Sequence, residues 1–313
     1  MTKGFRIIHP GILTTYQDLG RHGFRRFGIP LSGAMDAIAL RAANLLVGNK
    51  GTEVGLEVTL MGLKMVTLSP MLIAVTGGDL NLTINSEYQP PWKNYRLKPG
   101  DILHFRRRKS GLRTYLAVRG GFKAPAFMGS ASVFQRGLMG NPLGEGEPLE
   151  IGTAEQRSIP EFEIPRDHLP NLSDQNLLRV IMGPQEERFT EEGILHFLNG
   201  SYRIKSQSDR MAYRFEGPKI NHRGKADIIS EPLMPGAIQV PNDGAPIILM
   251  VDGQVTGGYA KIANVIRADI PVLAQRTPGE EIQFEAVDLD RAYEALEQQE
   301  KFFLWLKNNL SLT

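Results

Sequence analysis

No cysteine occurs in the 313 residues. Disulfides, thiolate catalysis and cysteine-ligated zinc are therefore excluded, and a reducing compartment is compatible with the chain. An excess of one charge is missing too. The 36 lysines and arginines stand against 34 aspartates and glutamates, a formal net charge of +2. That balance gives no reason to expect nucleic acid or an anionic membrane as a partner. The one basic run, Arg106 to Lys109, reads as the solvated tip of a hairpin. Long apolar runs are absent: no stretch reaches the ~18 residues of a membrane span. Met1 to His9 has no apolar core of the kind a signal peptide needs, and the expected location is the cytoplasm. The histidines stand apart at 9, 22, 104, 168, 196 and 222, with no His-Glu-x-x-His helix, and no metal site is expected. No Gly-x-x-x-x-Gly-Lys-Ser/Thr loop is present to cradle a nucleotide.

What is abundant is turn chemistry. The chain has 33 glycines and 20 prolines, which suit many tight turns and disfavour long helices. Between them lie short apolar or alternating runs, at Ile102 to Phe105, Tyr115 to Val118, Ile247 to Val251 and Ile282 to Phe284, that read as strands. Two helices are predicted. Asp36 to Val47 is rich in Ala and Leu at helical spacing, with Gly48 as a stop and Asp36 favoured as its cap. Asp288 to Asn308 starts acidic, ends basic and carries a Leu/Phe/Trp face.

The chain also contains an approximate copy of itself. Arg6 to Gly11 resembles Arg179 to Pro184, and Ser32-Gly33-Ala34-Met35 resembles Ser208-Asp209-Arg210-Met211. Val75-Thr76-Gly77-Gly78 recurs as Val255-Thr256-Gly257-Gly258, and Pro99-Gly100 as Pro278-Gly279. Four matches in one order, at offsets of 173 to 180, predict two related domains and not a solenoid of short repeats. The expected domains cover 1–156 and 177–287, with a polar, proline-bearing linker between them and a C-terminal helix over 288–313.

The same segments carry a family resemblance. Leu13 to Arg21, Gly28 to Asp36 and Ala43 to Asn49 resemble signature blocks of the biotin-dependent carboxyltransferase-like proteins, also known as the allophanate-hydrolase-subunit-2 family. So do Ser208 to Arg214, Ser230-Glu231, Pro235 to Pro241, Asp252 to Tyr259 and Lys261 to Ala263, with Ala212 standing where many relatives have glycine. The resemblance runs from about Phe5 to Val287. It implies a mainly β fold of two tandem cyclophilin-like β-barrels related by duplication, with a few short helices. It further implies work beside a B-type cyclophilin-like subunit and an A-type subunit, on a small lactam or ureido substrate.

Three activities occur in such a family. One is the C-type role in an ATP-dependent 5-oxoprolinase complex, which opens a lactam to glutamate. The second is carboxyl transfer from carboxybiotin to urea or a related amide. The third is a non-enzymatic antagonist of a sporulation-kinase inhibitor. The first is the leading expectation, with ATP used by the complex. Lys64-Met65 lacks the Ala-Met-Lys-Met setting of a biotinylated lysine, so no covalent cofactor is expected, and the amidase nucleophile segment is missing.

Candidate residues lie inside the repeated blocks. Asp209-Arg210 is read either as a fixed guanidinium for a carboxylate or ureido group or as a pair pinning a loop. Gln239, between Ile238 and Val240, can donate to a carbonyl and accept from an amide N–H. Lys261 can neutralise an anion or, if desolvated, act as a base. These four form the expected catalytic set. Substrate contacts are expected from Glu231, Asp252, Gln254, Thr256, Gly257, Gly258 and Tyr259, where glycines permit close backbone approach, and from Gln17, Asp18 and Arg21 in the first half. The two halves' loops are expected to face one another across one cleft.

Overall fold

A computed structural model of the chain describes residues 2–154, 158–170 and 176–311. The chain divides into two compact units that interleave in sequence. One comprises Met1–Arg21, Ser32–Ser173 and Glu300–Thr313, and the other His22–Leu31 and Asp174–Gln299.

The first unit holds strands β1 (Thr2–Pro10), β2 (Leu13–Gln17), β3 (Gly55–Thr59), β4 (Leu63–Thr67), β5 (Met71–Asp79), β6 (Leu82–Ile84), β7 (Glu87–Tyr88), β8 (Lys93–Leu97), β9 (Ile102–Phe105), β10 (Ser110–Val118), β11 (Phe122–Lys123) and β12 (Pro148–Ile151). They form a seven-stranded sheet, β11-β12-β1-β4-β9-β6-β7, and a five-stranded sheet, β2-β3-β10-β5-β8. Period-two alternation explains the packing, since successive residues point to opposite faces. Phe5 and Ile7 of β1, in register with Thr67 and Met65, join Leu103 and Phe105 of β9 in one core with Leu56, Val58 and Val75 of the other sheet.

Helix α1 (Ala37–Leu46) belongs to this unit and starts where its sequence predicts. Asp36 accepts from Ala39 N–H at 2.9 Å, an N-cap that satisfies one of the helix's orphan donors. The turn before it needs glycine: Gly33 has φ +88°, and a β-carbon there would lie 2.8 Å from the Gly20 nitrogen. Residues 158–170, expected to be linker, are a strap on this unit. Asn94 donates to the Pro160 carbonyl and accepts from Phe162 N–H, and Ile159 and Ile164 are buried. Arg157 and residues 171–175 of that expected linker lie outside the described residues.

The second unit contains β13 (Leu177–Met182), α2 (Glu191–Asn199), β14 (Tyr202–Ile204), β15 (Ala212–Glu216), β16 (Asp227–Pro232), β17 (Ala237–Gln239), β18 (Ile247–Leu249), β19 (Thr256–Tyr259), β20 (Lys261–Val265), α3 (Ile270–Ala274) and β21 (Glu281–Ala286). Seven of these strands close a barrel, β13-β20-β17-β18-β15-β14-β21, through the parallel pair of β13 and β21. β16 and β19 form a separate two-stranded ribbon. α4 (Leu289–Asn309) follows, with Asp288 accepting from Arg291 N–H at its start and Lys307 in its last turn.

The fold is mainly β, with a closed barrel in the second unit and paired sheets in the first. The sequence matches map onto it unevenly. Arg6 and Arg179 sit in β1 and β13, and Gly100 and Gly279, with φ of 93° and 91°, make the turns before β9 and β21. Ser32 to Met35, however, leads into α1, whereas Ser208 to Met211 leads into β15. A short polar block specifies a turn but not the element after it.

Candidate functional site

The second unit gathers polar side chains where β17, β20 and the β16–β19 ribbon meet. Gln239 of β17 is the register partner of Lys261 of β20, just past an irregularity between Ile238 and Gln239. The extra residue is Ile262 of β20, and a bulge re-aims the side chains of the strand that carries it; Lys261, Ile262 and Ala263 are all buried, as are Ile238, Gln239 and Val240. Lys261 is 6% exposed. Its ammonium pairs with the Glu231 carboxylate, and burial pulls its pKa below the ordinary lysine value.

Gln185, in the turn after β13, holds this pair from both sides. Its Nε2 donates to Glu231 Oε1 at 2.8 Å, and its Oε1 accepts from the Lys261 backbone N–H at 3.2 Å. Gly183, two residues earlier, lets that turn lie against β20. A β-carbon on it would sit 2.3 Å from the Lys261 carbonyl oxygen. Sequence reasoning missed Gln185. Its one signal is that it follows the repeated block ending at Pro184.

The ribbon supplies the other wall. Glu231 of β16 is the register partner of Gly257 of β19. A β-carbon on Gly257 would lie 2.8 Å from Gln239 Nε2, 3.2 Å from Gln254 Nε2 and 2.5 Å from Leu233 Cδ1. Glycine therefore leaves a space on which two carboxamides converge. Gln239 also donates to the Tyr259 carbonyl at 3.2 Å. Gln254, Thr256 and Tyr259 are exposed, and Gly258 backs onto the Ile228 carbonyl and Ser230 Oγ. The group thus has a solvent side.

Arg210 and Asp252 form a buried fork, with Nε to Oδ2 at 2.8 Å and Nη2 to Oδ1 at 3.3 Å. The Asp252 N–H also donates to the Arg210 carbonyl. This ties the turn before β15 to the turn after β18, the same turn that carries Gln254. The carboxylate at Arg210 is therefore Asp252, 42 residues away in sequence, and not only a chain neighbour. Asp209 Oδ1 accepts from Met211 and Ala212 N–H, stabilising the turn, as short acidic side chains commonly do.

Gln17, Asp18 and Arg21 lie in the first unit and clasp one segment. Asp18 accepts from Ser130 Oγ, Ala131 N–H, Ser132 Oγ and Gly20 N–H. Gln17 donates to the Val133 carbonyl and Arg21 to the Ser132 carbonyl. Gln17 and Arg21 are buried. A second buried cluster, not anticipated from sequence, holds the entry to α1. Glu57 accepts from Met35 N–H and Tyr115 Oη–H, the Tyr115 hydroxyl accepts from Asp36 N–H, and Arg113 stands 3.6 Å from Glu57. Burial and the Glu57 charge push the Tyr115 pKa well up. Among the described residues no three acidic or histidine side chains gather to hold a cation, and no helix is long and apolar enough to cross a membrane.

A mainly β chain with a lysine–glutamate–glutamine site on a closed barrel is the class that the geometry defines. The chain belongs to the family described as carboxyltransferase domain, subdomain A and B, whose model matches residues 27–286. It is similar to the C-type subunit of the 5-oxoprolinase of Escherichia coli (strain K12), 38% identical over 95% of this chain and 96% of the relative. The urea amidolyase of Saccharomyces cerevisiae is 32% identical over 94% of this chain and 17% of its own length. The solved Kluyveromyces lactis urea amidolyase superposes with a TM-score of 0.89 at 33% identity, covering 96% of this chain. This chain spans 20% of that one.

Proposed function

We propose that the chain is the C-type component of an ATP-dependent 5-oxoprolinase, and that it binds the lactam at the Lys261–Glu231–Gln239 group. The observation that carries this is end-to-end similarity: the corresponding 5-oxoprolinase component of Escherichia coli matches over 96% of its own length, whereas the urea amidolyase of Saccharomyces cerevisiae matches over 17%. The chemistry of the site supports it. A lactam presents an N–H beside a carbonyl. The carboxamides at Gln239 and Gln254 suit the carbonyl oxygen, and the Lys261–Glu231 pair suits the N–H.

Burial lowers the Lys261 pKa, which eases loss of its proton; the free amine then takes the lactam N–H proton while the carbonyl oxygen attacks the γ-phosphoryl group of ATP and ADP leaves. Arg210 and Asp252 fix the turn bearing Gln254 and act on the substrate only through it. ATP is consumed by the assembled complex, in which a B-type cyclophilin-like subunit and an A-type subunit are the partners.

A second reading is carboxyl transfer from carboxybiotin to urea. It draws on the TM-score of 0.89 to the Kluyveromyces lactis enzyme and on the likeness of a ureido group to a lactam. The test is reconstitution with both partner subunits, with ATP-dependent glutamate release from 5-oxoproline measured while each component is omitted in turn. Release that needs all three, and is lost in Lys261→Met, is the expected outcome. Undiminished release without this chain overturns the proposal, and urea-dependent turnover of a supplied carboxybiotin donor selects the second reading.

A further inference from the structure

The segment His22–Leu31 comes from the N-terminal half of the sequence yet belongs to the second unit. It carries one short 3-10 turn, Arg25–Phe27, ended by Gly28 with φ +82°. No acidic residue occurs from Leu19 to Met35, although Arg21, Arg25 and Arg26 do. The Arg25 Nη2 donates to the carbonyl of Leu233. Leu233 lies two residues past Glu231, and its Cδ1 comes within 2.5 Å of where a Gly257 β-carbon would stand. The guanidinium is thereby fastened to the residue that walls the space approached by Gln239 and Gln254.

Its partner there is a neutral carbonyl. Among the described residues no carboxylate forms an ion pair with Arg25, in contrast to the forks of Arg179 with Asp269 and Arg210 with Asp252. Arg25 is half-buried, and that burial draws its pKa below the ordinary arginine value. A guanidinium withdrawn from water without a counter-anion is costly, and its planar fork matches a carboxylate.

We propose that Arg25 is a specificity-determining residue of this site: its guanidinium receives the carboxylate of an anionic lactam and so separates such a substrate from a neutral ureido compound. The inference rests on the lactam reading above and adds to it the group that recognises the substrate's charge. Lys261 has Glu231 as its carboxylate partner, whereas Arg25 has none among the described residues.

The test is calorimetric titration of the full chain with 5-oxoproline and with 2-pyrrolidinone, the same ring without the carboxylate. Arg25→Gln is the informative variant, because glutamine retains a donor for the Leu233 carbonyl and loses the charge. The wild-type protein should bind 5-oxoproline at least about tenfold more tightly than 2-pyrrolidinone, the scale of one charge-assisted hydrogen bond. Arg25→Gln should bring the two dissociation constants together by weakening 5-oxoproline alone, and Arg25→Lys should restore part of the gap. Unchanged binding of 2-pyrrolidinone shows that the variant has kept its fold. A preference for 5-oxoproline that persists in Arg25→Gln overturns the role of Arg25 and leaves the lactam reading standing. If the wild-type chain binds neither ring, the lactam reading fails and this inference with it.

Discussion

Each unit sets a carboxylate beside a buried cation, and the two arrangements behave oppositely. In the first unit, Glu57 is 1% exposed and its oxygens serve a backbone N–H, a tyrosine hydroxyl and Arg113. Asp18 likewise serves two serine hydroxyls and two backbone N–H groups of its own unit. In the second unit, the Glu231 side chain keeps 36% of its exposure while pairing with a buried lysine, and exposed Gln254, Thr256 and Tyr259 stand nearby. A carboxylate whose oxygens are occupied by donors of its own unit stabilises a fold. One that shares a desolvated amine with a solvent-facing rim is placed to act on a ligand. Burial alone does not separate these cases; the remaining access does.

The largest effect expected of this contrast is on turnover. Lys261→Met should lower lactam-dependent glutamate release by the roughly hundred- to ten-thousand-fold attributed to a general base, while the melting temperature stays near that of the wild type. Steady-state kinetics beside a thermal melt would show it, and a large loss of stability would place Lys261 with the structural group. Glu57→Ala should do the reverse. Breaking a buried, hydrogen-bonded charge pair costs about 3–5 kcal/mol, visible in denaturant unfolding, and substrate affinity of the fraction still folded should be retained.

Gly257→Ala sits between these extremes. The added methyl meets Leu233 and two glutamine amides, an overpacking of about 1–3 kcal/mol, and it should weaken lactam binding more than it lowers the melting temperature. A smaller and more diagnostic effect concerns pH. Because burial lowers the Lys261 pKa, the neutral amine forms at lower pH than in water. The rate should therefore rise with pH through a midpoint below 10.5, and Lys261→Arg should erase that limb. The smallest change is expected at the solvated pair of Arg41 and Glu300. Its carboxylate side chain is 65% exposed, and Glu300→Gln should leave the thermal melt unchanged within error.

Much of the fold was legible in particular residues. Asp36 and Asp288 cap the two predicted helices because a short carboxylate at that position reaches the first free N–H groups. Ile102 to Phe105 is a strand because its alternation matches the pleat. Of the site, the resemblance marked Gln239, Lys261, Glu231 and Gly257, which the fold brings together. Asp209 was read from adjacency to Arg210; the fork that Arg210 also makes with Asp252, 42 residues away, was not legible. Gln185 and Arg25 were not legible. One lies 46 residues from Glu231, and the other 208 from Leu233.

The sequence by itself determined the mainly β character, the helix starts, the absence of thiol chemistry and the family, because these follow from local periodicity, composition and short motifs. Tertiary structure alone decided which carboxylates are consumed by the fold and which remain available, and it carried His22–Leu31 into the second unit. The physical reason is that hydrogen-bond satisfaction is settled between segments distant in the chain. Neither spacing nor residue type records which donors a folded backbone has already used.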